Sequence, residues 1–437
     1  MMARRDAAEA GAARRETERE RAFRRNLLAV AGWELIWGFG AACVAGPVVM
    51  ALALQLTPSK TIIGVFGLMQ LLAAPALLLS AYVNRRLRRR RGAVALVHAL
   101  QVTNWTVVGL ILLLAPGIAS GLALLALIVA HGLIYLLSGL LTAPTYELLS
   151  EAFGRRYGTA AGVQLLVNRT AGMLGGLLVA QLLAGDDVPA NFGRVLLLGG
   201  LCLTLSNLAV LAMVEPPPRV EAPPPPLDAY LSGLGATVRA HRDYLIFLGV
   251  SALLAFITVV QGFYTTFALE RLGLPVAQAG LFTAVTFAAT GLGGLTGGLG
   301  DRWGHRRLLA ASLLAHAAAT AAVLAAQPLG PVWFYAGLAA SGAATAATSI
   351  ATTNLMVDFA PPGEKGAYAA VGRLATLGAG AVFTPLGGWL IDGFDYAPTF
   401  GLGIALTAAS LAATRRFGDP RLAVPARLHY PAGTDGL

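Results

Sequence analysis

Twelve stretches of mainly apolar residues, each near the length of a bilayer-crossing helix, divide this chain of 437 residues. About 20 apolar residues are needed to cross the hydrocarbon core. By that measure spans are predicted at 27–54, 61–83, 93–115, 121–145, 159–184, 195–214, 244–269, 277–299, 307–327, 331–356, 367–391 and 398–414. Composition agrees: 12% of the residues are charged and 56% hydrophobic, against about 25% charged in a soluble domain. So few charges could not clothe a water-exposed surface. The expectation is a multi-pass membrane protein with the lipid bilayer as its main partner.

The positive charges test the count. Arginine and lysine accumulate in loops facing the cytoplasm. With a cytoplasmic amino terminus, 27 of the 32 Lys and Arg fall on one side, led by the first 26 residues and the run Arg85 to Arg91. Lys60, Arg194 and Arg271 fall on the other, and Arg169 and Arg373 lie within spans. A miscounted span would scramble this segregation. The same clustering explains the net charge of +10 without nucleic acid, for which interleaved aromatics or one basic face would be expected. The first apolar stretch is far longer than a signal-peptide core and reads as a retained span. Both ends are expected in the cytoplasm, in a cell (inner) membrane. Cys43 and Cys202, the only cysteines, sit in apolar runs, so neither a disulfide framework nor a cysteine metal site is expected.

The longest interruption, residues 215–243, holds Pro216 to Pro218 and Pro223 to Pro226, which favour a stiff extended segment. After it Leu227, Tyr230, Leu231, Leu234 and Val238 recur at helical spacing, as an interfacial helix would or as an extension of the next span. The predicted organisation is a basic arm (1–26), a six-helix bundle (27–214), a linker (215–243), a second six-helix bundle (244–414) and a tail (415–437). Matching features in the two halves support an internal duplication: Asn84-Arg85-Arg86 corresponds to Asp301-Arg302 onward, and Glu151 to Asp358.

The sharpest motif is Gly298-Leu299-Gly300-Asp301-Arg302-Trp303-Gly304-His305-Arg306-Arg307. It resembles the G-x-L-x-D-R-x-G-R-R signature of the major facilitator superfamily, in its second-half copy; Asn84 and Arg85 open a degenerate first-half copy. Residues 358–366 resemble that family's loop after the tenth span. The resemblance implies an all-α integral membrane fold of twelve transmembrane helices in two pseudo-symmetric six-helix bundles. Asp301 can accept charge-assisted hydrogen bonds from arginines, which would latch the cytoplasmic side in one conformation, with Gly294 and Gly298 admitting a neighbouring helix. The plainer alternative is that Arg302, Arg306 and Arg307 only set topology. By the same resemblance Glu151 and Asp358 join the latch, with Arg155, Arg156 and Arg373 as partners.

Charges inside spans are costly unless paired or wetted. Glu34 lies about 12 Å into the first span at 1.5 Å per residue, and Arg169 at comparable depth in the fifth. An ion pair facing a central cavity is expected, with Glu34 as the proton-coupling or substrate-binding acid; a pair that only fixes packing is the alternative. Two polar stripes follow helical spacing: His131, Tyr135, Ser138 and Thr142 on the fourth span, and Ser341, Thr345, Thr348 and Thr352 on the tenth. The resemblance places the first, fourth, seventh and tenth spans around the cavity, adding Gln261, Tyr264 and Asn354. Each hydroxyl could instead bond to its own helix. His98 and His316 fall on peripheral spans and read as structural.

Other classes lack their residues. The two lysines, Lys60 and Lys365, form no phosphate-binding loop, and Asp186-Asp187 reads as a turn. The paired Gly175-Gly176 lack the proline of drug-antiporter patterns. The function expected is therefore secondary active transport of a small molecule by alternating access, proton-coupled, with export among the open directions. A transport-inactive receptor or scaffold, or a lipid flippase, is the alternative. No enzyme activity, resident cofactor or metal is expected; a proton gradient supplies the energy, and the chain is expected to act as a monomer.

Overall fold

The computed structural model describes residues 2–84, 86–87, 89–115, 117–185, 187–215, 226, 242–360 and 365–420. Arg85, nearly all of the proline-rich linker, residues 361–364 and the end of the tail lie outside the described residues. Helices dominate and no strand occurs among the described residues. Eleven spans are long and apolar enough to cross a membrane. The helix Pro331–Asp358 completes twelve: it has the length, but its Ala, Thr and Ser residues dilute its apolar character.

Several spans are broken. The first consists of α1 (Met2–Cys43) and α2 (Gly46–Leu56). The interruption falls where Gly46-Pro47 begins the second segment, because proline cannot supply the helical N–H and clashes with the carbonyl four residues back. The second span is α3 (Lys60–Leu68) and α4 (Ala73–Asn84), joined by a 3₁₀ turn. Next come α5 (Arg90–Leu114), α6 (Ser120–Phe153), α7 (Tyr157–Leu182) and α8 (Ala190–Leu211). The seventh span repeats the break of the first: α9 (Arg242–Gly262) yields at Gly262-Phe263 to α10 (Tyr264–Arg271). The eighth is α11 (Gln278–Gly293) and α12 (Gly297–Trp303), divided at a glycine-rich 3₁₀ turn. Then follow α13 (His305–Leu329), α14 (Pro331–Asp358), α15 (Lys365–Phe394) and α16 (Tyr396–Thr414). Irregular backbone at membrane depth survives only where protein or a wet cavity satisfies it. The breaks therefore mark places where function can sit.

The first and last six spans pack as two bundles joined along two seams of small residues. On α3, Gly64 lies so near α15 that an added Cβ would stand 2.6 Å from Pro385 Cα. Between α7 and α11, a Cβ on Gly176 would stand 2.6 Å from the Ala284 nitrogen. Small residues let helix backbones approach where lipid supplies no hydrophobic drive. Both contacts lie in the part of the bundle away from the helix ends that carry the chain termini, here called the distal part.

Candidate functional site

Two cavities open near the broken helices. One, of about 240 Å³, is bounded by Gly46, Pro47 and Met50 of α2, by Thr258, Gln261 and Gly262 of α9, and by Tyr264 and Thr265 of α10. Thr286 and Thr290 of α11 and Leu338, Ser341, Gly342 and Thr345 of α14 complete it. It thus lies where the breaks of the first and seventh spans meet. The other, of about 320 Å³, lies between α1, α5 and α6 and is lined by Trp33, Glu34, Trp37, His98, Ser138, Leu141, Thr142, Thr145 and Tyr146.

The expected Glu34–Arg169 ion pair is not formed as a contact. The Glu34 carboxylate instead accepts from Gln164 Nε2 at 3.2 Å and Asn168 Nδ2 at 2.9 Å. Those amides stand four apart on α7, so one helix face presents both. Arg169, the next residue, points elsewhere: its guanidinium carbon lies 5.4 Å from the centroid of the Phe287 ring, on the other bundle. Its Nε is buried with no hydrogen-bond partner. The pairing fails because residues 168 and 169 are about 100° apart around the helix. Only one of them can face α1.

Of the polar stripe on α6, Ser138 and Thr142 reach a cavity wall. His131 and Tyr135 instead join an aromatic cluster with Phe66 and Trp105, their two rings 5.1 Å apart. On α14, Ser341 and Thr345 line the first cavity beside Gln261 and Tyr264. Thr348 serves a buried network, while Thr352 and Asn354 bond back to Thr348 and Ile350 carbonyls of their own helix.

The two histidines expected at the periphery are drawn inward. His98 stands edge-on to Trp33 and Trp37, at 5.5 and 5.3 Å, in the cavity that holds Glu34. His316 is 2% exposed and bridges Gln261 at 2.6 Å and Thr348 at 3.1 Å. Histidine spacing alone carried no sign of this. Pairing it with a polar residue on a broken span was the available clue.

The motif at the terminus-bearing end forms a different arrangement from the expected latch. The Asp301 side chain is 79% exposed, and its oxygen lies 3.8 Å from His305. His305 in turn meets Asp358 at 2.9 Å, so Asp358 pairs with a histidine and not with Arg373, which is exposed. Gly304 has φ +94° and makes the sharp turn between α12 and α13 that only glycine adopts without strain. Arg306 donates to the Phe417 carbonyl at 2.8 Å, and Arg302 and Arg307 are exposed. A Cβ on Gly298 would meet nothing within 4 Å, so the predicted close approach does not occur there; it does at Gly294, where a Cβ would stand 2.8 Å from Leu165 Cδ2 of α7, and Gly293 lies as close to Ala343 of α14. In the first half Arg90 takes the central role: it is buried, and it reaches Asn84 at 3.1 Å, Glu147 at 2.8 Å and Glu151 at 2.9 Å. Arg156 pairs with Glu20 and not with Glu151.

The distal end joins the halves. Asp392, at the end of α15, accepts from Lys60 N at 2.9 Å and Thr61 N at 2.9 Å. It also accepts from Ser59 Oγ at 3.0 Å and Thr61 Oγ1 at 2.8 Å. It thereby caps α3 from the opposite bundle and meets the positive end of that helix. Beside it Lys60 Nζ lies 2.5 Å from Glu270, which also accepts from Tyr396 OH at 2.7 Å. Arg271 and Asp395 close the rim at 2.7 Å. Partial burial pushes the Asp395 carboxyl up, but the Tyr396 N–H and the Arg271 guanidinium outweigh it and hold it below the ordinary aspartate range. Lys60, which the sequence offered only as an outside charge, thus joins the two bundles through Glu270 and Asp392.

The sequence profile of the Major Facilitator Superfamily matches residues 28–382. The chain belongs to that superfamily. Its fold is similar to that of a mutant of the nucleoside transporter NupG, with a TM-score of 0.73 and 14% identity over 90% of this chain and 99% of that one. It is also similar to a D-xylose–proton symporter, with a TM-score of 0.68 and 13% identity over 91% and 98%. A third likeness is to a bacterial homologue of the iron transporter ferroportin in its inward-facing state, with a TM-score of 0.63 and 16% identity over 91% and 98%. Curated proteins gave no match to the sequence. The chain is thus a multi-pass membrane protein with the twelve-helix, two-bundle fold of the superfamily's transporters.

Proposed function

We propose that the chain is a secondary active transporter that moves a small molecule by alternating access, with both termini in the cytoplasm of a cell whose inner membrane it spans. The observation that carries this reading is the cross-bundle cluster of Asp392 on the cap of α3 and Lys60 on Glu270. These groups come from different bundles, so rocking the bundles apart at the distal end must break them. At the terminus-bearing end the Arg90–Asn84–Glu147–Glu151 and His305–Asp358 networks connect elements of one bundle and can travel with it. The arrangement fits an inward-facing conformation, with the distal cluster as its latch.

The coupling acid in this reading is Glu34. Two neutral amides hold it, beside a cavity that also contains Ser138 and Thr142. Amides can hydrogen-bond either protonation state, Gln164 and Asn168 donating to a carboxylate or accepting from a carboxylic acid through their oxygens. A direct arginine pair would have pinned the charged form. Arg169, near enough to act through space, balances the charge when the proton leaves. Proteoliposome uptake with and without an imposed pH gradient tests the coupling: Glu34→Gln should retain exchange but lose acceleration by the gradient. Gradient-driven uptake at the wild-type rate in that variant would remove Glu34 from the role.

A further inference from the structure

We infer that the cavity between α2, α9, α10, α11 and α14 recognises a neutral, polyhydroxylated portion of the transported molecule. Gln261 reads it, and His316 is the positioning residue that sets how Gln261 faces. The inference rests on the transporter reading above and adds the chemical class of the cargo.

An amide nitrogen can only donate. Gln261 Nε2 lies 2.6 Å from His316 Nδ1, so Nδ1 accepts and the imidazole proton sits on Nε2. From there it goes to Thr348 Oγ1, 3.1 Å away. Thr348 passes its own proton to Ser312 Oγ at 2.9 Å, and Ser312 donates to the Leu309 carbonyl at 2.8 Å. The chain runs one way and ends on the backbone. With its nitrogen on His316, Gln261 leaves its carbonyl oxygen for the cavity. Thr345 Oγ1 approaches that oxygen only at 3.4 Å and gives its proton to the Ser341 carbonyl at 2.9 Å.

The rest of the wall has the same polarity. Thr286 and Thr290 donate to the Phe282 and Thr286 carbonyls at 2.7 and 2.6 Å. Each hydroxyl has a single proton, so while these intrahelical bonds hold, Gln261 Oε1 and the oxygens of Thr286, Thr290 and Thr345 accept from a ligand. Thr258, Thr265 and Ser341 can serve in either sense. The Tyr264 hydroxyl is turned away onto Thr320 at 2.9 Å; because Thr320 gives its proton to the His316 carbonyl, tyrosine is the donor there. No charged side chain lines the cavity. A carboxylate or phosphate would find no cation there and too few donors. An organic cation would find no carboxylate. Several hydroxyls on one small molecule match a wall of oxygens that need protons.

The test is equilibrium binding to the full chain in nanodiscs, read by saturation-transfer NMR titration. The probes are D-glucose, D-xylose, myo-inositol and D-mannitol, each beside its fully O-methylated form, which keeps the oxygens and loses the donors. At least one free polyol should bind saturably and its O-methylated partner should not. Gln261→Leu should weaken binding about tenfold, the cost of one good hydrogen bond, and Thr286→Val should weaken it about threefold. His316→Leu should cost about as much as Gln261→Leu although His316 does not line the cavity. His316→Gln can accept from Gln261 and donate to Thr348, and should return affinity to within about twofold of wild type. Three results would each overturn the inference: no probe binding to the wild type, O-methylated forms binding equally well, or His316→Gln as weak as His316→Leu. Saturable binding without uptake in the proteoliposome assay would sink the transporter reading instead and leave this site in place.

Discussion

Replacing Asp392 by alanine isolates the distal latch. It removes four hydrogen bonds, two of them from backbone N–H groups at the start of α3. A lost helix cap costs about 0.5–2 kcal/mol, and a bond to a charged acceptor can be worth about 1.5–3 kcal/mol. Asp392 is exposed, so water replaces part of each bond, and a net loss of about 2 kcal/mol is a sound working figure. The partners sit on the opposite bundle, so the whole loss falls on the balance between distal-closed and distal-open forms. At 1.36 kcal/mol per tenfold, the open-to-closed ratio should rise about thirtyfold. Electron–electron distance measurements between spin labels at Ser120→Cys and Gln327→Cys, both exposed at the distal ends of α6 and α13, would read it. Cys43 is buried and Cys202 half-buried, so labelling should favour the introduced sites. A longer distance population should appear in the Asp392→Ala background while the melting temperature moves little. An unchanged distribution would refute the latch.

Three further outcomes follow from the packing. Arg90→Ala should destabilise the first bundle by about 3–5 kcal/mol, because it leaves Glu147 and Glu151 without the buried cation they share; melting in detergent checks this. Gly280→Val should block closure of the α7–α11 seam, since a side chain there collides with the Ala180 backbone, and transport should fall at least tenfold even where expression is normal. The depressed Asp395 carboxyl gives the rim a defined pH response. Its contribution is present above the ordinary aspartate pKa and is lost only as pH falls through the lower folded value. Asp395→Asn should therefore match wild type in the strongly acidic range and differ from it, by less than about 1 kcal/mol given the exposure, at neutral pH.

The fold was legible because the bilayer imposes simple demands. Span lengths and the one-sided arginines followed from the thickness and the charge asymmetry of a membrane, and Gly304 of the motif sits on a turn that requires it. Four of the residues chosen from the sequence, Gln261, Tyr264, Ser341 and Thr345, come together around one cavity. The misplaced partners have a common physical cause. Depth along the axis can be counted from residue number, but azimuth in a bundle depends on which helices become neighbours. Glu34 and Arg169 have matching depth and face different ways. His316, on a helix expected at the rim, turns toward the broken span. Asp392 lies just past the predicted eleventh span, and its partners come from α3 of the other bundle.

Access to the interior from each face tests the account most directly. Ser138 is exposed on the wall of the Glu34 cavity. A Ser138→Cys variant should react with a membrane-impermeant maleimide from the cytoplasmic face of inverted vesicles and stay largely protected in right-side-out vesicles. Adding Asp392→Ala should raise labelling from the outside and lower it from the inside. Equal labelling from both faces, unmoved by loss of the latch, would contradict alternating access in this protein.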